Sequence, residues 1–250
     1  TGPVDYLTVY PKVLPLSSLS LPSNSPLGNL KHHLPIFEDP SRPSGKREYV
    51  RGDSMRRIDW KATAVSGKMQ VKIYEPSIAL ETAIFLNLNI DEYEEKKWLT
   101  ATEFAIVVAA SIANWVVEQK QSVGLITNGL DPIGQDGSAK LLSPHKGRTQ
   151  LIQILETLAR IQAEKTTPIS ETLSKYRRYL GWGTTLILIT GSTNEAVFDS
   201  LFQAQRSGLN PFIVLCGSAH NQKEAENNAK KAGIPLHTFR NELEMAVWQR

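Results

Sequence analysis

From residue 80 onward, apolar runs alternate along the chain with stretches of helical periodicity. Short apolar runs rich in β-branched residues predict strands, and apolar positions spaced three or four residues apart predict helices. The predicted strands are 83–88, 123–127, 184–190, 212–216 and 236–239, with a short extra one at 140–142. The predicted helices are 98–118, 151–159, 168–180, 194–206 and 222–232. This alternating order predicts an α/β fold with a mostly parallel sheet flanked by helices.

Strand 184–190 is apolar or β-branched at nearly every position, which is typical of a strand buried on both faces. The apolar stretch Phe104–Val117 contains Ser111 and Asn114, and no apolar run reaches the roughly 20 residues that span a bilayer. We therefore expect a core helix here. Ligands of such parallel sheets bind beyond the carboxyl ends of the strands.

The first 45 residues have a different character. Prolines stand at positions 3, 11, 15, 22, 26, 35, 40 and 43, and only Tyr6–Tyr10 has the pattern of a strand. Proline-rich segments of this kind predict an extended arm rather than an independent fold. We divide the chain into an arm and small β-rich segment, 1–78, and a second domain, 79–250.

The stretch between these parts has a spacing that neither helix nor strand periodicity explains. Between Arg42 and Lys72 lie nine basic residues and only three acidic ones, Glu48, Asp53 and Asp59, although the net charge of the whole chain is only +3. A positive zone of this kind favours contact with phosphates, an anionic membrane or an acidic partner. A half-buried strand, Met69–Glu75, follows it.

This stretch resembles the signature of domain-of-unknown-function family number fifty-eight, R-E-Y-x-x-G-D-x-x-R-x-I-D-W-K followed by a strand. The matching residues are Arg47, Glu48, Tyr49, Gly52, Asp53, Arg56, Ile58, Asp59, Trp60 and Lys61. The resemblance implies a von Willebrand factor A-like domain in the second half. It also implies a β-rich module that follows a membrane hairpin, so we expect the chain to begin partway through a longer protein anchored on the cytoplasmic side of a membrane.

Two interpretations of the signature are compatible. In the structural one, Glu48, Asp53 and Asp59 pair with the arginines, Gly52 permits a tight turn, and Trp60 packs under the domain edge. In the functional one, cations at 47, 56 and 61 bind a carboxylate of a partner, and Tyr49 and Trp60 serve as aromatic anchors. We favour the structural interpretation.

The von Willebrand factor A fold implies a metal-ion-dependent adhesion site of the form D-x-S-x-S, followed by a distant threonine and a later aspartate. The corresponding positions here are Asn87, Asn89, Asp91, Thr149 and Ser192. Both aspartates of the pattern are missing, and Mg²⁺ disfavours such a weakly charged ligand set. We therefore expect a degenerate site without a metal, with weak binding of Mg²⁺ or Mn²⁺ as the alternative.

Sequence motifs for other chemistry are absent. The chain has neither G-x-G-x-x-G nor G-x-x-x-x-G-K-[ST], neither H-E-x-x-H nor G-x-S-x-G, and its histidines lack metal-ligand spacing. The only cysteine, Cys216, lies in an apolar run and is expected to be a buried hydrophobe. We predict no cofactor and no catalytic residues.

The resemblance implies an adaptor that works with a MoxR-type AAA+ ATPase, and we expect a non-catalytic protein-interaction module. One alternative is binding of nucleic acid or anionic lipid through the zone Arg42–Lys72, although sparse aromatic residues make nucleic acid unexpected. Another is a hydrolase that uses Asp53 and Asp59 or Glu48. The surrounding cations should lower the pKa values of these carboxyl groups, which favours ion pairing over proton transfer.

Overall fold

A computed structural model describes residues 8–16, 38–50, 55, 58–76, 81–132, 141–217 and 222–247. The chain forms two compact units. Residues 29–79 make the smaller one, which we name the signature unit, and residues 1–28 together with 80–250 make the larger one, the sheet unit.

The signature unit contains an antiparallel strand pair and one short helix. The strands are β1 (Glu38–Glu48) and β2 (Gln70–Pro76), and the helix is α1 (Trp60–Ser66). Pairing places Arg47 opposite Val71. The prediction of a strand after the signature is confirmed by β2, whereas β1 and α1 were not predicted because proline and charge hide their periodicity.

The sheet unit is built on six strands. These are β3 (Glu81–Leu86), β4 (Ser122–Thr127), β5 (Leu141–His145), β6 (Thr185–Thr190), β7 (Asn210–Cys216) and β8 (Leu236–Phe239). Their order in the sheet is β5-β4-β3-β6-β7-β8, and all neighbours are parallel except the edge pair β4–β5. The prediction of a mostly parallel sheet is confirmed.

Six helices belong to the described part of the sheet unit. These are α2 (Trp98–Glu118), α3 (Arg148–Arg160), α4 (Ile169–Tyr176), α5 (Glu195–Arg206), α6 (Gln222–Ala232) and α7 (Glu242–Val247). The predictions for α2 and α6 agree with the structure to the residue, whereas α4 stops at Tyr176 and continues as the 3₁₀ turn Arg177–Tyr179. The short α7 was not predicted.

Helix α2 passes a test of length and composition for crossing a membrane, but 72% of its most apolar window is buried inside the fold. It is the central core helix of one face of the sheet. Alternate residues of the strands face opposite layers: Ile84 and Leu86 pack on the side of α2 and α3, and Ala83 and Phe85 on the side of α4, α5 and α6. Burial on both faces explains the continuous apolar runs.

The described part of the N-terminal arm, residues 8–16, lies on α2. The backbone N–H of Leu14 donates to Ser111 Oγ at 2.9 Å, and the Leu16 side chain joins the core. Lys12 pairs with Glu242 of α7. The strand predicted at Tyr6–Tyr10 is wrong for residues 8–10, which are irregular, and its first two residues lie outside the described part of the chain.

Candidate functional site

Three buried polar side chains connect the carboxyl ends of β3, β4 and β6, an arrangement that we name the rim. Asn87 Nδ2 donates to Thr190 Oγ1 at 2.9 Å, and Asn128 Nδ2 donates to Asn87 Oδ1 at 2.9 Å. Asn128 Oδ1 accepts from the backbone N–H of Leu88 at 2.7 Å. All three side chains are buried, so each hydrogen bond replaces one that water no longer supplies.

Asn89 binds a second loop to the rim. Its side-chain oxygen accepts from the backbone N–H of Asp91 at 3.3 Å and from that of Thr166 at 3.4 Å. A parallel bridge pairs Asn89 with Glu164. The loop between α3 and α4 therefore crosses the carboxyl end of β3, and the Thr166 hydroxyl is buried there without a hydrogen-bond partner among the described residues.

Glu92 turns a carboxylate into the rim. Its Oε2 accepts from the backbone N–H of Ile169, the first residue of α4, at 3.1 Å. Burial raises the pKa of this carboxyl group, while the Ile169 hydrogen bond and those from Asn87 and Asn89 act in the opposite direction. The neighbouring charge of Asp91 raises the pKa further. Glu92 thus joins the start of α4 to the rim through this hydrogen bond, with a carboxyl group whose pKa is raised by burial.

Tyr93, the residue after Glu92, packs against the rim. The hydroxyl of the buried Tyr93 donates to the backbone oxygen of Asn87 at 2.5 Å, and burial raises its pKa well above the usual range. Its ring lies directly over Gly191, where a Cβ atom would come within 2.1 Å of it. Only glycine fits at position 191.

The predicted adhesion-site residues are brought together only in part. Asn87 and Asn89 are buried in the rim, and Ser192 Oγ donates to the backbone oxygen of Glu92 at 2.7 Å. Asp91 instead lies at the surface, with 60% of its side chain exposed, and pairs with Lys165 at 3.1 Å.

Thr149 does not lie at the rim, which corrects its assignment as the distant threonine. Strand β5 runs antiparallel to β4 and pairs its last residue, His145, with Val123 near the beginning of β4. Thr149 therefore lies near the amino-terminal edge of the sheet, exposed in the first turn of α3, whose N-cap is Gly147. Thr166, which follows α3, takes the rim position.

The donor set of the rim does not fit a hard dication. The side-chain oxygen of Asn87 already accepts from Asn128 and from the backbone N–H of Asn89 at 3.1 Å, and that of Asn89 accepts two backbone hydrogens. Among the described residues, no group of three His, Cys, Asp or Glu side chains is arranged to hold a metal. Mg²⁺ would require several of these hydrogen bonds to break.

In the signature unit, two signature residues have structural roles. Ile58 is buried and forms a bridge with Val71. Asp59 caps α1 by accepting from the backbone N–H of Ala62 at 3.0 Å, and it pairs with Lys46 at 2.9 Å. The hydrogen bond from Lys46 and that from Ala62 lower the pKa of Asp59.

Trp60, which the structural interpretation places under the domain edge, is mostly exposed on α1. Its side chain is 65% exposed, and that of Val65, on the same helix, is 86% exposed. Helix α1 contains no buried residue. Exposed apolar side chains also occur on the flanking segments at Val50 and Met55.

The remaining described signature residues are at or near the surface. Glu48 pairs with Lys68 at 2.8 Å, and the Arg47 guanidinium donates to the Glu48 backbone oxygen at 3.2 Å. Tyr49 is half-buried and Lys61 is exposed. The predicted residues Gly52, Asp53 and Arg56 lie outside the described part of the chain.

Sequence reasoning missed three members of the rim: Asn128, Glu92 and Thr166. Asn128 directly follows the strand predicted at 123–127, and this position at the carboxyl end of a strand was the available signal. Glu92 ends the short 3₁₀ turn Ile90–Glu92, and Thr166 lies in an irregular loop, so no periodicity indicated which way their side chains point.

Similar solved structures share this fold at low sequence identity. An aerotolerance-related membrane protein from Bacteroides fragilis NCTC 9343 is 14% identical, with 68% of this chain and 94% of that chain covered and a TM-score of 0.48. The protein BatB from Bacteroides thetaiotaomicron is 15% identical, with 68% and 96% covered and a TM-score of 0.46. A von Willebrand factor type A protein from Catenulispora acidiphila is 12% identical, with 72% and 42% covered and a TM-score of 0.47.

The sheet order of the chain agrees with the predicted α/β fold with a mostly parallel sheet. Among curated proteins, none matches this sequence. The family described as "Protein of unknown function DUF58" matches residues 45–192, which include the whole signature and the rim strands β3, β4 and β6. Because this match covers more than half of the sequence, the chain belongs to that family.

Proposed function

We propose that the protein is a non-catalytic protein-interaction module, an adaptor that works with a MoxR-type AAA+ ATPase. In this proposal the rim is a degenerate adhesion site, and helices upstream of this sequence tether the protein to the cytoplasmic side of a membrane. The partner and the tether come from the family resemblance.

The observation that carries the proposal is the exposure of apolar side chains on α1. Burying a side chain such as Trp60 or Val65 is worth roughly 1.5 to 3 kcal/mol, so their exposure forgoes a substantial stabilisation. Tryptophan is also the residue type most enriched in binding hot spots. A partner that covers α1 would recover this energy.

The polar chemistry of the signature supports binding rather than catalysis. Asp59, one carboxylate of the hydrolase alternative, has a lowered pKa, a cap hydrogen bond and a Lys46 partner, and such a group is a poor proton donor at neutral pH. Glu48 is engaged by Lys68 at the surface. Both cations that pair here belong to the positive zone, which reduces the charge left for an anionic ligand.

The test is binding of the purified chain to the MoxR-type ATPase of the same organism, measured by analytical gel filtration and calorimetry with ATP, with ADP and without nucleotide. We expect a complex whose affinity falls at least thirtyfold in Trp60→Ala, which is the effect of removing a hot spot. Trp182→Ala is the matched control, because it removes another exposed tryptophan from the sheet unit.

Absence of a complex in every nucleotide state would contradict the assigned partner. A complex with equal affinity for wild type and Trp60→Ala would retain the partner but contradict the role of α1. Turnover of any substrate that disappears in Asp53→Asn would contradict the non-catalytic assignment.

A further inference from the structure

The amino-terminal edge of the sheet carries an unbalanced positive charge. Strands β3, β4, β6, β7 and β8 begin at this edge, helices α2, α4, α5 and α6 end there, and α3 begins there because β5 is antiparallel. The described residues of these loops and terminal turns include nine basic ones: Lys120, Lys146, Arg148, Lys175, Arg177, Arg178, Arg206, Lys230 and Lys231. Only two acidic residues, Glu81 and Glu118, accompany them.

At the opposite, carboxyl edge, acidic residues outnumber the cations, which include Lys97, Lys165 and Arg240 in ion pairs. Its described acidic residues include Asp91, Glu92, Glu94, Glu95, Asp131, Glu164, Glu195, Glu224, Glu242 and Glu244. Helix dipoles favour acids in first turns and bases in last turns, which accounts for part of this separation. They do not account for Lys120 and Lys146, which lie in loops.

The cations at the amino-terminal edge lack ionic partners within the described residues. All ion pairs of the sheet unit that the structure shows lie elsewhere, for example Lys97 with Glu94 and Arg160 with Asp131. Lys175 and Arg178 lie over the Tyr176 and Tyr179 rings, each 5.1 Å from the ring centre. The positive charge at this edge is therefore available to an external anion.

Two aromatic side chains are exposed at the same edge. Tyr179 is 63% exposed and Trp182 is 54% exposed. The Trp182 ring lies on Gly208, where a Cβ atom would come within 2.0 Å of it, and the Gly183 N–H donates to the Gly208 oxygen at 2.8 Å. The backbone thus holds this indole at the surface, and a larger residue at 208 would displace it.

We propose that the amino-terminal edge of the sheet docks onto an anionic lipid surface. The docking surface consists of the nine basic residues given above together with Tyr179 and Trp182. Tyrosine and tryptophan suit the boundary between water and headgroups because their rings are apolar and their tips are polar. Lysine and arginine near the surface add electrostatic attraction to anionic lipids. The carboxyl edge and its acidic residues then face away from the lipid.

A lipid surface fits better than an acidic protein. The cations come from the ends of four helices, α3, α4, α5 and α6, and from the loops and 3₁₀ turn beside them, so the charge is spread along the edge instead of surrounding one groove. A charged bilayer is similarly extended and needs no complementary shape. The inference stands independently of the ATPase partner, because it concerns the isolated chain and lipid alone.

The test is sedimentation of the purified chain with vesicles of phosphatidylcholine alone or with 30 mol% phosphatidylserine, at low and high salt. We expect binding only to the anionic vesicles, and weaker binding at high salt. Replacing the exposed Lys175, Arg178 and Arg206 together by Gln should weaken binding about a hundredfold, at roughly fivefold per cation. Trp182→Ala should weaken it about tenfold.

Two triple variants serve as controls for net charge. The first variant replaces three cations of the carboxyl edge by Gln, namely Lys96, Lys97 and Lys223. The second replaces three cations of the signature unit by Gln, namely Lys46, Lys61 and Lys68. Both should bind anionic vesicles like wild type. Circular dichroism of every variant verifies that each is folded.

Three outcomes would overturn the inference. The first is that the chain fails to sediment with anionic vesicles. The second is that the signature-unit variant loses binding while the variant of the amino-terminal edge keeps it. The third is that all three triple variants lose binding equally. Binding of a polyglutamate peptide to the edge without binding to vesicles would assign the surface to an acidic protein instead.

Discussion

The rim of the sheet unit buries its polar side chains, whereas α1 of the signature unit exposes its apolar ones. Asn87 and Asn128 are almost inaccessible and hydrogen-bonded, while Trp60 is 65% exposed. Both regions depart from the usual distribution of residues. The difference indicates that the rim amides hold the fold together and that the exposed signature side chains are free to serve a partner.

The largest expected effect is on the rim. Asn87→Ala removes one hydrogen bond each from Asn128 Nδ2, the Asn89 N–H and the Thr190 hydroxyl in a buried site. Leaving such groups unsatisfied should lower the free energy of unfolding by about 3 kcal/mol. Urea denaturation followed by circular dichroism measures it, with the exposed Asn227→Ala as a control that should change little. An equal, small effect of both would show that the rim amides are dispensable.

A smaller effect is expected at the start of α1. Asp59→Ala removes the cap hydrogen bond to Ala62 and the pair with Lys46. Loss of an N-cap should increase hydrogen exchange of the α1 amides roughly fivefold. Because the pKa of Asp59 is lowered by folding, its contribution is present above the unfolded pKa and is lost as the pH falls through the folded one.

Asp59→Asn is the matched control for the cap, since Asn also caps helices but cannot form the ion pair. Mass spectrometry of exchanged peptides from 58–70 at neutral pH reports both variants. Hydrogen exchange of the α1 amides that is unchanged in Asp59→Ala would contradict the structural role assigned to this residue.

A still smaller effect on stability is expected at Glu92, the acidic residue of the rim. Burial raises the folded pKa of Glu92 above its ordinary value of 4.5, so its contribution to stability is fully present below the unfolded pKa and is lost as the pH rises through the folded one. Gln stays neutral and can still accept from Ile169. The stability of Glu92→Gln relative to wild type should therefore increase as the pH rises above the ordinary pKa of 4.5.

Thermal unfolding at a series of pH values tests this, and the shift should be a fraction of the Asn87→Ala effect. Glu195→Gln, in the first turn of α5 and exposed, controls for the loss of one acid from the same edge. A stability difference that is constant with pH, or that falls as the pH rises, would contradict the assignment.

The smallest effect on stability is expected for Trp60→Ala. Because the ring is mostly exposed, the free energy of unfolding should stay within about 0.5 kcal/mol of wild type. The same substitution is expected to weaken the ATPase complex, so stability and binding separate at one residue. Denaturant unfolding that shows a loss of several kcal/mol would restore the structural interpretation of the signature.

Helices and strands of the sheet unit were largely predictable because burial on both sides leaves a strong apolar pattern. Helix α2, Trp98–Glu118, is the clearest case. By contrast, β1 contains prolines and α1 has no buried face, so neither left a periodic signal. The assignment of Thr149 to the rim was wrong because no local pattern reveals that β5 runs antiparallel to β4. This direction places the beginning of α3, and not its end, at the amino-terminal edge of the sheet.

By itself, the sequence determined the alternation of strands and helices, the family signature and the uncharged amide side chains at Asn87 and Asn89. Tertiary structure alone decided that Asn128, Glu92 and Thr166 join them, that Trp60 faces solvent, and that basic residues collect at one edge of the sheet. The physical reason is range: burial imposes a repeat on neighbouring residues, whereas contacts between distant loops depend on strand order and direction, which no short segment contains.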